Sequence, residues 1–310
     1  MRSLHANGSC SVCGGSLRPN LKRVRDADSG ESFRVERCAD CGLGHTRPVP
    51  EDIVRYYGPG YYGQRHSFTA RRCAQRRVRW LEAATGRMTG ALLDVGCGEG
   101  TFLQAAATRG FRVVGTELGA AADRARAAGV EVFASVADAR ERGPFDAATM
   151  WHTLEHFSDP RAIVTEVASA LRGGGTFIVA VPNADGWQAA TFGEHWFHLD
   201  VPRHLFHFGP RSLNRLLVDS GFRVERWCHQ ELEYDVFGWM QSALNAATGR
   251  HNVLFQAMSG RPVDSGFVPL AVHYVAGAFL APAALAATSL STLSRGGGTL
   301  VAIARRTSDR

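Results

Sequence analysis

Leu92-Leu93-Asp94-Val95-Gly96-Cys97-Gly98-Glu99-Gly100 is the stretch on which the fold turns. An apolar run meets an acid, then three glycines spaced two apart, and a helical pattern begins at Thr101. Glycines at that spacing let a backbone turn tightly after a strand and approach a ligand that a Cβ would hold off. The shape is that of a nucleotide-cofactor loop. A dinucleotide fingerprint requires Gly-x-Gly-x-x-Gly, and that register fails because position 101 is threonine.

Outward from this loop the chain alternates. Apolar strands are expected at residues 91–95, 112–116, 130–134, 146–151 and 176–181, and helices at 101–108, 120–128 and 161–171. Repeated strand–helix–strand implies a parallel sheet with helices on both faces. Ligands of such sheets sit beyond the carboxyl ends of the strands, near the switch point. A further helix is expected at 211–219, stopped by Ser220-Gly221. Strands at 223–228 and 299–305 would then close the sheet as an edge hairpin.

The strand at 146–151 runs into Trp151-His152-Thr153-Leu154-Glu155-His156 and then Asp159-Pro160. Leu171-Arg-Gly-Gly-Gly175 precedes the next strand, and Val181-Pro182-Asn183 follows it. Together with Asp94-x-Gly-x-Gly-x-Gly100, these motifs resemble the class I S-adenosylmethionine-dependent methyltransferases of the small-molecule, ubiquinone-biosynthesis-like type. The resemblance covers roughly residues 92–222. It implies an α/β fold with a doubly wound, mostly parallel, seven-stranded sheet. It also implies S-adenosylmethionine as donor, and in-line methyl transfer to the oxygen, nitrogen or carbon of a small-molecule acceptor.

Roles follow residue by residue. Gly96, Cys97, Gly98 and Gly100 are expected to face the methionine part of the cofactor, with Asp94 organising its ammonium end. Glu117 ends the second strand some twenty residues on, where a carboxylate can accept ribose hydroxyl protons. Asp138 is the candidate for the adenine amine, and Trp151 is expected among the cofactor contacts. If the acceptor is a hydroxyl or amine, a general base helps. Six histidines (152, 156, 195, 198, 204 and 207) lie in two segments near the expected mouth. His156 is the first choice, then His152, then His204. Relatives with a Glu-His pair here bind a divalent ion using an acid three residues before the glutamate; this chain has His152 there. Residues 187–208 mix aromatic and titratable groups, as ligand pockets do, and are expected to form the acceptor wall. Arg203 and Arg211 either hold an anionic acceptor or pair with Glu194 and Asp200.

Residues 1–47 form a separate unit. Cys10-Ser-Val-Cys13 and Cys38-Ala-Asp-Cys41, each trailed by glycine, have the form of a zinc ribbon. The 24 residues between Cys13 and Cys38 demand a long hairpin, with residues 33–37 as its return strand. A structural Zn2+ held by Cys10, Cys13, Cys38 and Cys41 is the expectation. No apolar leader is visible in residues 1–13, which together with clustered cysteines points to a reducing cytoplasm. Residues 48–90 read as linker and cofactor-covering helix. Within them, the tyrosines around Gly58-Pro59-Gly60 form either a lid or a packed connector, and an arginine-rich helix spans 71–81. The methyltransferase domain occupies 91–310, with an insert at 230–297.

The formal net charge of +6 is nearly all arginine, since Lys22 is the only lysine. Four zinc thiolates would lower it to about +4. An RNA methyltransferase is the alternative, against which no Asn-Pro-Pro-Tyr-type motif follows the fourth strand. A non-catalytic protein that binds the cofactor is the other. Residues 265–294 carry no Asp, Glu, Lys or Arg. That is long enough for a bilayer, but Pro269 and Pro282 interrupt it and a sheet strand follows it. A helical hairpin is expected instead, serving as homodimer interface, lid or membrane-surface element.

Overall fold

The computed structural model describes residues 8–57, 67–261, 263 and 265–307. Tyr61, Tyr62 and the Gly58-Pro59-Gly60 turn of the proposed tyrosine lid lie outside the described residues. The chain divides into two compact units that interleave in sequence. One comprises residues 66–181, 214–227 and 301–310, and the other 1–65, 182–213 and 228–300.

Three strands open the chain: β1 (Leu17–Arg25), β2 (Ser32–Cys38) and β3 (Gly44–Arg47). They are followed by α1 (Ser67–Thr85), β4 (Gly90–Val95), α2 (Thr101–Ala107), β5 (Phe111–Thr116), α3 (Gly119–Ala127) and β6 (Glu131–Phe133). Next come α4 (Val136–Ala139), β7 (Phe145–Trp151), α5 (Pro160–Ala170) and β8 (Leu171–Pro182). After α6 (Trp187–Phe192) and β9 (Phe206–His207), α7 (Pro210–Asp219) leads into β10 (Phe222–Cys228). Then come α8 (Leu232–Thr248), α9 (Val253–Met258) and α10 (Leu270–Leu293), and β11 (Thr299–Arg306) is the last element among the described residues.

The sheet unit has seven strands in the order β10-β11-β8-β7-β4-β5-β6, with parallel pairing throughout β8-β7-β4-β5-β6. This is the doubly wound sheet that the alternation predicts, and the last two strands are neighbours at one edge. Helices cover both faces of such a sheet, so its central strands are buried on both sides and read as near-continuous apolar runs. Leu92, Leu93 and Val95 on β4 and Ala147, Ala148 and Met150 on β7 are buried accordingly. Strand order reverses at β4, which places the switch point at the β4/β7 carboxyl ends. Helix α5 starts where Asp159 accepts hydrogen bonds from the N–H groups of Arg161 and Ala162, with Pro160 in the first turn.

In the other unit β1, β2, β3 and β9 form an antiparallel sheet. The β1–β2 hairpin absorbs the long interval between the cysteine pairs, with register shifts along it. Its inner face buries Val24, Phe33 and Val35 with Tyr56, Trp196 and Val201. Buried Arg203 ties these segments together: it donates to Asp26 at 2.8 Å, to Asp200 at 2.6 Å and to the Tyr56 carbonyl at 3.2 Å.

One expectation is corrected. Residues 265–294 do not form a helical hairpin; α10 is one continuous 24-residue helix with Pro282 inside it. An interior proline costs about 3 kcal/mol in helix propensity. Here alanine-rich turns on either side and packing of α10 along α8 offset it. Pro269 sits at the N-cap, where a missing N–H is harmless. By length and composition α10 is the one helix among the described residues able to cross a membrane.

Candidate active site and four-cysteine cluster

The loop after β4 turns on three glycines in the left-handed region: Gly96 at φ +74°, Gly98 at +57° and Gly100 at +79°. A Cβ on Gly96 would overlap the Thr153 side chain, whereas one on Gly98 would meet open space. The N–H groups of Gly96 and Cys97 donate to the Thr116 carbonyl at the end of β5. Gly98 N–H donates to Glu117 Oε2 at 2.9 Å, and Leu118 N–H donates to Oε1 at 2.8 Å. Glu117 thus clasps the glycine loop from the neighbouring strand end.

Asp94 is buried beneath this loop. The parallel register sets it opposite Thr149 of β7, whose hydroxyl donates to Asp94 Oδ1 at 2.6 Å. Burial pushes the Asp94 carboxyl up to about 7, the Thr149 hydrogen bond and the Arg77 charge pull it down, and Glu117 pushes it up. Arg77 comes from α1. Its guanidinium lies 4.6 Å from the ring centre of Trp151, which stacks on Trp80 at 6.0 Å and meets Phe102 edge-on at 5.6 Å. Burial pushes the Cys97 thiol far above its usual range, which makes it inert at neutral pH.

Beyond Trp151 the backbone of His152 is left-handed at φ +53°, a conformation that a β-carbon disfavours. Its N–H donates to the Ala180 carbonyl, and its Nδ1 lies 4.0 Å from Oε1 of buried Glu155. His156 closes the short turn 154–156 that follows. Strain of this kind at the carboxyl end of a central strand is typical of functional sites.

A family model described as a methyltransferase domain matches residues 64–226, just over half of the chain. The chain belongs to the methyltransferase-domain family. The ubiquinone biosynthesis O-methyltransferase of Ralstonia nicotianae is 31% identical over 139 residues, covering 41% of this chain and 58% of that protein. The enzyme of the same name from Aeromonas salmonicida is 30% identical over 165 residues, covering 48% and 69%. The chain therefore spans less than two thirds of the first relative's length. Among solved structures, a SAM-dependent methyltransferase from Archaeoglobus fulgidus aligns over 76% of this chain and 94% of that one, at 17% identity and TM-score 0.46.

Within the methyltransferase unit, Asp94, Gly96, Cys97, Gly98, Gly100, Glu117, Trp151, His152 and His156 all lie at the carboxyl ends of β4, β5 and β7 or on the loops leaving them. Asp138 is exposed on α4, where its carboxylate accepts from Ser135 Oγ at 2.7 Å and its N–H donates to the same oxygen, which caps the helix. His204 belongs to the other unit, its Nδ1 2.8 Å from the His198 carbonyl. His207 in that unit is held neutral, pushed down to about 3 by burial and then by His45, with Nε2 2.9 Å from Thr46 Oγ1. Arg203 is committed to Asp26 and Asp200 rather than presented to an acceptor.

Sequence reading missed Arg77 and Thr149. The stripe Cys73, Ala74, Arg77, Val78, Leu81 was visible as the buried face of α1, with Arg77 its one charged member. Thr149 gave no signal without the register.

In the N-terminal sheet the four cysteines converge. Cys10 and Cys41 Sγ are 3.5 Å apart, Cys13 and Cys38 3.4 Å, and all four sulfurs lie within 4.8 Å of one another. Each knuckle closes identically: Gly14 N–H donates to the Cys10 carbonyl and Gly42 N–H to that of Cys38, with both glycines left-handed. The neighbouring Cys41 thiol draws Cys10 down to about 3, burial opposing and His45 adding, while Cys41 is pushed up by the same contact. No disulfide forms among them. Four cysteine sulfurs brought this close together have the donor set of a closed, structural Zn2+ site.

Proposed function

We propose that this chain transfers the methyl group of S-adenosylmethionine to a small-molecule acceptor by in-line displacement. One observation carries the reading: a buried carboxylate, Asp94, poised beneath a left-handed glycine loop that Glu117 clasps from the next strand. Asp94 would hold the donor's ammonium end, Glu117 its ribose and Asp138 its adenine, with Trp151 walling the pocket. The bound donor supplies an activated methyl on a sulfonium. The protein's task is then to align the acceptor and exclude water. His156 is the first candidate to take the acceptor's proton, with His152 and His204 as alternatives, and Glu155 stands beside His152 to orient it.

The same reading assigns residues 1–47 to a zinc ribbon, 48–90 to linker and covering helix, and 91–310 to the methyltransferase domain with its insert at 230–297. Zn2+ on Cys10, Cys13, Cys38 and Cys41 would be structural. The enzyme works in the cytoplasm, where seven thiols stay reduced. Residues 265–294 then serve as a contact face outside the chemistry. Calorimetric titration of S-adenosylmethionine into the wild type and Asp94→Ala tests the donor assignment. One site per chain, abolished by the substitution, supports it; no heat from the wild type overturns it.

A further inference from the structure

Helix α10 is turned inside out. The residues it buries are His273, Gly277, Ala284, Thr288 and Ser291, small or polar without exception. The residues it exposes include Val272, Val275, Phe279, Leu285, Leu290 and Leu293, at 49–82% exposure. A surface helix in water shows the opposite arrangement. At 100° per residue, the buried set falls within an arc of about 60°, and the exposed apolar set covers about 140° on the far side. On the inner side the Ser291 and Thr292 hydroxyls donate to the Thr288 carbonyl, and Gly277 lets Leu254 of α9 pack closely.

We propose that the outer face of α10 docks in the plane of an anionic lipid bilayer. Two features favour lipid over a second copy of this chain. A partner helix covers a stripe of roughly 100°, whereas a lipid surface covers the whole of the wider arc of about 140°. Charge is the other. The run 265–294 has no charged residue, and exposed arginines bracket it: Arg295 follows its last turn, and Arg250 lies against Gly266 just before its first. A helix about 36 Å long, apolar over an arc of about 140° and flanked by arginines, suits burial to the headgroup boundary with phosphates near its ends. The strand that follows, β11, returns to the sheet beside β10, which the insert left, so docking flat keeps both ends on one side. This deepens the contact role proposed for residues 265–294 and does not depend on the methyl acceptor.

Vesicle co-sedimentation of the full chain tests it, with phosphatidylcholine vesicles containing about 30 mol% phosphatidylglycerol and with phosphatidylcholine alone. The wild type should sediment with the anionic vesicles. Phe279→Asp with Leu290→Asp should reduce partitioning at least about tenfold, with an unchanged far-ultraviolet circular dichroism spectrum. Arg295→Gln, which leaves the helix packing intact, should lower binding about fivefold on anionic vesicles alone. Three results overturn the proposal. One is a wild type that stays in the supernatant with both vesicles. Another is equal binding by wild type and the double variant. The third is a wild-type dimer that ignores vesicles and is dispersed by the double variant, which would assign the face to a second copy.

Discussion

Replacing Asp94 by Asn should stabilise the empty protein and destroy its function. The carboxyl titrates at about 7 in the fold against 3.8 in its usual state, chiefly because burial penalises the charge. A folded-state value above the unfolded one means that the fold favours the protonated acid. The associated stability is fully present below about pH 4 and is lost as pH rises through 7. At 1.36 kcal/mol per unit, ionising Asp94 costs the fold roughly 4 kcal/mol at pH 8 and less than half of that at pH 5. Asn keeps an oxygen to accept the Thr149 hydroxyl and carries no charge. Urea melts should therefore find Asp94→Asn more stable than wild type at pH 8, by roughly 1–3 kcal/mol, with the gain shrinking toward pH 5. Donor binding should move the other way. The ionised carboxylate is needed for the ammonium group, so wild-type affinity should fall about tenfold per pH unit below 7. Calorimetry in buffers of different ionisation enthalpy should register one proton released per donor bound at pH 6. A variant destabilised equally at pH 5 and pH 8, or a wild-type affinity flat from pH 5 to 8, would refute the reasoning.

Further outcomes follow from neighbouring residues. Arg77→Met removes the cation that holds Asp94 down, so donor affinity at pH 7 should drop several-fold and recover at pH 8.5, read by the same titration. Gly96→Ala should abolish donor binding and lower the melting temperature, because the new methyl meets Thr153. Gly98→Ala faces open space and should cost only about 1–2 kcal/mol for its left-handed backbone. Metal analysis should find about one zinc per chain. Chelation, or Cys38→Ser, should unfold residues 8–47 as seen by loss of amide protection there, and a metal-free protein with undiminished protection would contradict the ribbon.

Much of the fold was legible because it is local. Val95-Gly-Cys-Gly-Glu-Gly100 specifies a strand, a turn and a helix start within ten residues, and buried strands announce themselves as apolar runs. The cysteine knuckles were equally plain, since ligand spacing is itself the signal. What escaped was contact across long separations between polar groups. Arg203 meets Asp26 across 177 residues, and β9 joins β3 through a two-residue pairing too short to carry a pattern. The Thr149–Asp94 bond depends on which residue stands opposite in a parallel register, which neither strand's sequence reveals alone. Helix α10 misled for a different reason: proline normally ends a helix, and only packing on α8 shows that here it does not.

The loop after β4 is proposed to take a methyl donor and not a dinucleotide. Equilibrium dialysis of the full chain against S-adenosylhomocysteine and against NAD at the same concentration tests it most directly. One S-adenosylhomocysteine per chain should bind saturably, be displaced by S-adenosylmethionine and be unaffected by excess NAD. Saturable NAD binding that S-adenosylhomocysteine cannot displace, or no saturable binding of S-adenosylhomocysteine, would contradict it.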